Sequence, residues 1–171
     1  MASAGISDWI TLYTDVTGDG TSRMNTAENA QPRMGASLWE HPEFYIRNSP
    51  IFYADKVTTP LLMVHNSIYD HNVPFNQGVA FFTALRRLGK PAWMLSYDRG
   101  GHGEDGRERQ DRLLRTTQFF DHYLKGKPAP AWMTRGIPAA KKGIDTGMQP
   151  DPTRDPSNGS LLIALHRKQT T

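Results

Sequence analysis

Thr59-Pro60-Leu61-Leu62-Met63-Val64-His65-Asn66-Ser67-Ile68-Tyr69-Asp70-His71-Asn72-Val73-Pro74 carries more structural information than any other stretch of this chain. Its apolar run, Leu61 to Val64, opens at Pro60 and stops abruptly in polar residues. A short run bounded in this way reads as a fully buried strand of a parallel sheet. Asp70 follows in the loop beyond. Open α/β sheets place their chemistry just past the carboxyl ends of parallel strands. A loop aspartate alone is more often a turn former or a cap, so Asp70 gains meaning only from a second unit about thirty residues downstream.

That unit is another apolar run, Ala92-Trp93-Met94-Leu95-Ser96-Tyr97, ending in Asp98-Arg99-Gly100-Gly101-His102-Gly103. Between the two runs, Phe75 to Leu88 reads as a helix. Val79, Phe82, Leu85 and Leu88 recur at core-facing spacing, and Arg86 and Arg87 lie in the last turn. Gly89 and Pro91 supply the stop. The pattern is strand, Asp, helix, strand, His. A right-handed crossover would open both loops on the same sheet edge. An Asp and a His within reach are two thirds of a nucleophilic triad. The carboxylate holds the imidazole in one tautomer, and the imidazole takes a proton from a nucleophile. Glycines around His102 allow a sharp turn and keep the ring accessible.

The order of these pieces resembles the C-terminal part of prolyl oligopeptidase-type serine peptidases, which are α/β-hydrolases with the triad order Ser, Asp, His. The resemblance rests on Asp-x-x-Val-Pro after a His-ending strand, on Leu85-Arg86-Arg87-Leu88-Gly89-Lys90-Pro91, and on Gly101-His102-Gly103. It extends over roughly residues 1 to 147. It includes Leu38 to Tyr45, Asn48 to Val57 and Phe119 to Gly126. It implies an α/β fold of about three parallel strands with flanking helices, with Asp70 as triad acid and His102 as triad base. It implies a peptide substrate for the complete enzyme, no cofactor and no metal.

Two departures qualify it. Gly-x-Ser-x-Gly, where the family carries its nucleophile, does not occur in this sequence. Ser3, in Met1-Ala2-Ser3-Ala4-Gly5, is the nearest substitute and lacks the first glycine and a preceding strand. Ser22 and Ser37 lack a glycine-framed turn. In the family, an Ala-rich strand ending in small residues follows the nucleophile helix, and Ala2 to Gly5 look like the end of that strand. The chain is therefore expected to begin just after the nucleophile-bearing half, with the oxyanion-hole donors also upstream, and to be inactive alone. An exposed strand edge would then promote self-association or pairing with a missing N-terminal portion. The alternatives are a non-catalytic hydrolase-fold remnant acting through association, and an esterase-like α/β-hydrolase. The second departure is the spacing between His65 and Asp70, one residue longer than is usual in the family, which predicts a reshaped Asp70 loop.

Composition narrows other classes. The chain has 171 residues, is 37% hydrophobic, and contains 15 glycines and 12 prolines. That permits one domain, or most of one, with long loops. The net charge is +3, but the bases from Arg86 to Arg115 interleave with acids. They read as a solvated surface, not as a nucleic-acid footprint. Without cysteine there is no disulfide, thiol nucleophile or thiolate metal site. No membrane span or signal peptide is read.

Further readings are local. Residues 1 to 12 read as a strand end running into a loop, and residues 13 to 34 as loop without a clear period. Asp15 and Asp19 lack the further acids of a calcium loop and read as turn residues. A short helix is expected near 42 to 47, opened by Pro42, with a second turn ending near Ala54. The aromatics from Trp39 to Tyr53 read as packing. His65 and His71 flank Asp70 without the spacing of a metal pair; His65 is expected to hydrogen-bond locally. Asp105 to Lys125 reads as a helix with Asp105 and Glu108 as a capping pair. Its apolar face holds Leu113, Leu114, Phe119, Phe120, Tyr123 and Leu124, and His122 reads as a surface or packing residue. The pattern fades from about Trp132. Residues 1–147 are expected to form part of the hydrolase domain and 148–171 a flexible tail, with Leu161 to Leu165 as an unassigned apolar run.

Overall fold

A computed structural model describes residues 1–66, 70–141 and 143–151. The chain forms two compact units, Met1–Gln110 and Asp111–Thr171.

In the first unit, β1 (Ala2–Ser3), β2 (Leu61–Val64) and β3 (Ala92–Leu95) form a sheet in that order, and both pairings are parallel. Ala2 stands opposite Met63, and Leu61 to Val64 stand opposite Ala92 to Leu95. The ladder continues beyond the strand ends, with Ala4 N–H donating to Val64 O at 2.9 Å and His65 N–H to Leu95 O at 3.0 Å. Ala4 turns the chain away from β1 with a left-handed φ of 46°. Parallel neighbours need a crossover connection, and the helix α4 (Phe75–Arg87) supplies it between β2 and β3. Leu62 and Val64 are buried, as a strand covered on both faces requires. Beside them Met63, Leu85, Ala54 and Ala92 form one core cluster. Each large aliphatic side chain so buried contributes about 1.5–3 kcal/mol.

The expected face of α4 is corrected in detail. Phe81, Phe82 and Leu85 pack against the core, but Leu88 is exposed. The buried face instead continues back through Gly78 and Gln77. Gly89, at φ 67°, ends the helix, and Lys90 N–H donates back to Leu85 O at 2.9 Å. Gln77 also fixes the segment after β1. Its Oε1 accepts from the N–H groups of Ser7 (3.1 Å) and Asp8 (2.9 Å), and its backbone carbonyl accepts from Ser7 Oγ at 2.7 Å.

Two helices stand where loops were expected. Asp8 caps α1 (Trp9–Tyr13) by accepting from Ile10 and Thr11 N–H. Ser22 caps α2 (Arg23–Asn29) through Met24 N–H. Both are too short for periodicity to reveal, and caps with tertiary packing stabilise them. Their anchor is a cluster of Tyr13, Ala27 and Tyr45, with the two tyrosine rings edge-on at 5.0 Å. The expected helix near 42 to 47 is α3 (Pro42–Arg47). A 3₁₀ turn follows at Pro50–Lys56.

The helix α5 (Gly106–Lys125) begins in the first unit and continues into the second. Glu108, expected to pair with Asp105 at the start of this helix, accepts at Oε1 from Arg99 N–H at 3.2 Å. Of the expected apolar face, Phe119 is buried, whereas Leu113, Leu114, Phe120 and Leu124 are exposed. His122 Nδ1 lies 2.7 Å from Lys127 O.

In the second unit the segment beyond Trp132 is more ordered than its sequence pattern predicts. The turn α6 (Ala131–Thr134) is buried throughout. Trp132 Nε1 donates to Gln118 Oε1 at 2.8 Å, and Gln118 Nε2 donates to Met148 O at 2.8 Å. Asp151 accepts from Thr134 Oγ1 at 2.7 Å and pairs with Arg135 Nε at 3.2 Å. Residues 148–151 of the expected tail thus pack within this unit. The rest of that tail, with the Leu161–Leu165 run, lies outside the described residues.

Candidate active site

Asp70 and His102 come from the loops beyond β2 and β3. Because those strands are parallel neighbours, both loops leave the sheet at its carboxyl edge. Asp70 Oδ1 accepts from the N–H groups of Asn72 and Val73, each at 2.9 Å. This turn fixes the carboxylate just before Pro74 leads into α4. Both carboxylate oxygens lie 3.2 Å from His102 Nδ1. The Asp70 side chain is only 1% exposed, and that of His102 is 53% exposed. A buried acid therefore meets a ring open to solvent. With Nδ1–H donating to the carboxylate, the Nε2 lone pair is left to accept a proton.

Residues distant in sequence hold each loop. Arg23, the first residue of α2, donates from Nη1 to Asn72 O (2.6 Å) and from Nη2 to His71 O (3.0 Å). Its fork grips the two carbonyls next to Asp70, and Asp15 Oδ2 lies 3.9 Å from its Nε. The backbone at Gly18 approaches the His71 ring so closely that a Cβ there would lie 2.4 Å from Nδ1. The His102 loop is held by Asn66, which bonds to Gly101, Glu104 and Tyr97. Sequence reasoning did not single out Arg23, Asn66 or Glu104. Their partners lie 31 to 49 residues away, and nothing in the local pattern reveals such contacts.

His65 directly follows β2 and is 1% exposed, with Gly78 of α4 against its ring. Among the described residues its Nε2 has no hydrogen-bond partner. Burial pushes its pKa down, against the opposing pull of the Asp70 charge. The ring also hydrogen-bonds the backbone at Val73 and Pro74, the local bonding expected of it.

The other residues weighed for chemistry are used in local structure. Ser22 is a helix cap. Ser37 exchanges hydrogen bonds with Glu40, its Oγ donating to Oε2 at 2.7 Å. Asp19 accepts from Thr17 Oγ1 and Thr21 N–H, and the Thr17 bond holds its carboxyl below the usual range. Ser3 lies on β1, paired with Val64. Among the described residues no group of three or more His, Cys, Asp or Glu side chains gathers as a metal site. Among them, too, no helix is long and apolar enough to cross a membrane.

Comparison with known proteins decides the family, because the prolyl oligopeptidase family model matches residues 1–127. The chain belongs to the prolyl oligopeptidase family. Relatives include the uncharacterized peptidase YuxL of Bacillus subtilis (strain 168), 31% identical over 91 residues. That match spans 51% of this chain and 14% of the relative. The acylamino-acid-releasing enzyme of Rattus norvegicus is 28% identical over 102 residues, or 60% of this chain and 12% of that one. Among solved structures, the Pyrococcus horikoshii acylaminoacyl peptidase superposes with a TM-score of 0.61 at 26% identity. It covers 80% of this chain, which spans 22% of that one. A puromycin hydrolase, at 24% identity and a TM-score of 0.59 over 72% of this chain and 18% of its own, shares the fold. The family and the three-stranded parallel sheet are thus as expected, and the chain spans less than a quarter of the length of each of these relatives.

Proposed function

We propose that Asp70 and His102 are the acid and base of a Ser–Asp–His triad, in a serine-type peptidase of the prolyl oligopeptidase family. The observation that carries this reading is the 3.2 Å contact of both Asp70 oxygens with His102 Nδ1 at the carboxyl edge of neighbouring parallel strands. The peptidase names of the relatives support an amide or peptide substrate. In this mechanism a serine Oγ attacks the scissile carbonyl carbon while His102 Nε2 takes its proton. The carbon–nitrogen bond then breaks, and the same proton goes to the leaving amine. Water releases the acyl group by the reverse roles. The Asp70 carboxylate holds the ring tautomer and stabilises the imidazolium. Backbone N–H groups hold the oxyanion.

The nucleophile in this reading lies outside the 171 residues, since no Gly-x-Ser-x-Gly occurs among them, Ser22 caps α2 and Ser37 hydrogen-bonds Glu40 within a turn. The free side of β1, which among the described residues pairs with β2 alone, is the edge where the nucleophile-bearing part would add. Without it, that edge promotes self-association. The missing serine motif also favours a second reading, a hydrolase-fold remnant that works by association alone. The intact Asp70–His102 pair speaks against it, because association has no use for that geometry.

The test joins this chain to a family segment carrying the nucleophile and measures peptide hydrolysis. His102→Ala should lower turnover on the order of a millionfold with an unchanged melting temperature. Retained turnover would overturn the assignment.

A further inference from the structure

We infer that Asn66 is a positioning residue for the base: it ties the end of β2 to the His102 loop, with Glu104 as its buried counterpart. The inference rests on the acid–base reading of Asp70 and His102. Asn66 is 4% exposed and Glu104 8%, so both polar side chains sit away from water and need partners. Asn66 Nδ2 donates to Gly101 O at 2.9 Å and to Glu104 Oε1 at 3.0 Å. Its Oδ1 accepts from Tyr97 N–H at 3.3 Å. The amide therefore grips the loop before His102 (Tyr97), immediately before it (Gly101) and after it (Glu104).

The orientation is dictated by chemistry. Turned over, the amide would set its oxygen against a carbonyl and a carboxylate, and its NH2 against an N–H. Aspartate at 66 could serve only the Tyr97 contact. The loop is also shaped to let the amide in. A Cβ at Gly100 would lie 2.5 Å from Asn66 Nδ2, so the glycine before Gly101 gives the backbone its close approach. Asp70 contacts one ring nitrogen of a half-exposed His102 and cannot by itself fix where the loop stands.

The experiment uses the full chain labelled with 15N-histidine and long-range 1H–15N correlation spectra, which report the tautomer of each imidazole. In the unsubstituted chain His102 should show a single Nδ1–H tautomer that is lost in Asp70→Asn. If it does not, the acid–base reading itself fails, whatever Asn66 does. With that satisfied, Asn66→Ala should lose the single tautomer of His102 while the buried His65 signals persist as a marker of the intact core. A retained tautomer in that folded variant overturns the inference. Should Asn66→Ala not fold, the nearly isosteric Asn66→Asp carries the test. It should lose the tautomer by setting one carboxylate against another. Adding Glu104→Gln should restore a donor–acceptor pair and recover the signal. Identical His102 spectra in the single and double variants would equally overturn it.

Discussion

His65 lies buried next to the candidate site, and its titration is expected to couple stability to pH. Its ring is buried against α4, and burial holds its pKa below the ordinary value of about 6.5. The unfolded chain leaves the same ring in water. Between the lowered folded value and about 6.5 the unfolded state binds more protons, so stability rises with pH across that window. The contribution is fully present above about 6.5 and is lost as pH falls through the folded value. Urea midpoints measured from pH 7 down to pH 5 should therefore fall, and His65→Phe should flatten that slope. An unchanged slope in the variant would assign the effect to other groups. Asp70 and His102 were legible in sequence as two side chains that would meet, because each follows a buried apolar run and the order matches a known family. Arg23, Asn66 and Glu104 were not. An arginine that starts a seven-residue helix looks the same in sequence whether it grips a loop 49 residues on or faces solvent.

At the level of elements, the segments with a local signal in their own residues were readable and the others were not. The apolar runs of β2 and β3, the Pro-opened α3 and the Gly-stopped α4 carry local signals that agree with the tertiary fold. In α1 and α2 the deciding interactions are single caps and the Tyr13–Tyr45 packing, which no periodicity announces. The same tension between local and tertiary preference sits inside α4 at Gly78. In an open helix, Gly→Ala stabilises by about 1 kcal/mol. Here a Cβ would lie 2.5 Å from the His65 ring, itself fully enclosed. Overpacking of this kind costs about 1–3 kcal/mol, so the clash outweighs the propensity gain. Gly78→Ala should lower the melting temperature by several degrees. A rise would mean that the ring can move aside.

For the whole molecule, the first unit contains a sheet of three strands whose end strand, β1, is two residues long. Parallel sheets are ordinarily covered and extended on both sides; among the described residues β1 pairs with β2 alone, and an edge of that kind is a template for another chain. Size-exclusion chromatography with light scattering should show concentration-dependent association of the isolated chain, and a charged substitution on that edge, Ala2→Lys, should reduce it. A single monomeric species with a cooperative melt at all concentrations would contradict this. The family likeness was legible in sequence through residue order and spacing. In the second unit the helix α5 was legible, but the part beyond it was not, because it is built from isolated contacts such as Trp132–Gln118 and Asp151–Thr134, with no repeating pattern.

The central claim is that this chain carries the acid and base of a serine peptidase site whose nucleophile lies elsewhere. Intact-mass analysis of the folded chain after exposure to a fluorophosphonate probe tests it most directly. The account predicts no adduct on the chain alone. A single adduct on one of its serines, abolished by His102→Ala, would show a nucleophile within these residues and contradict the account.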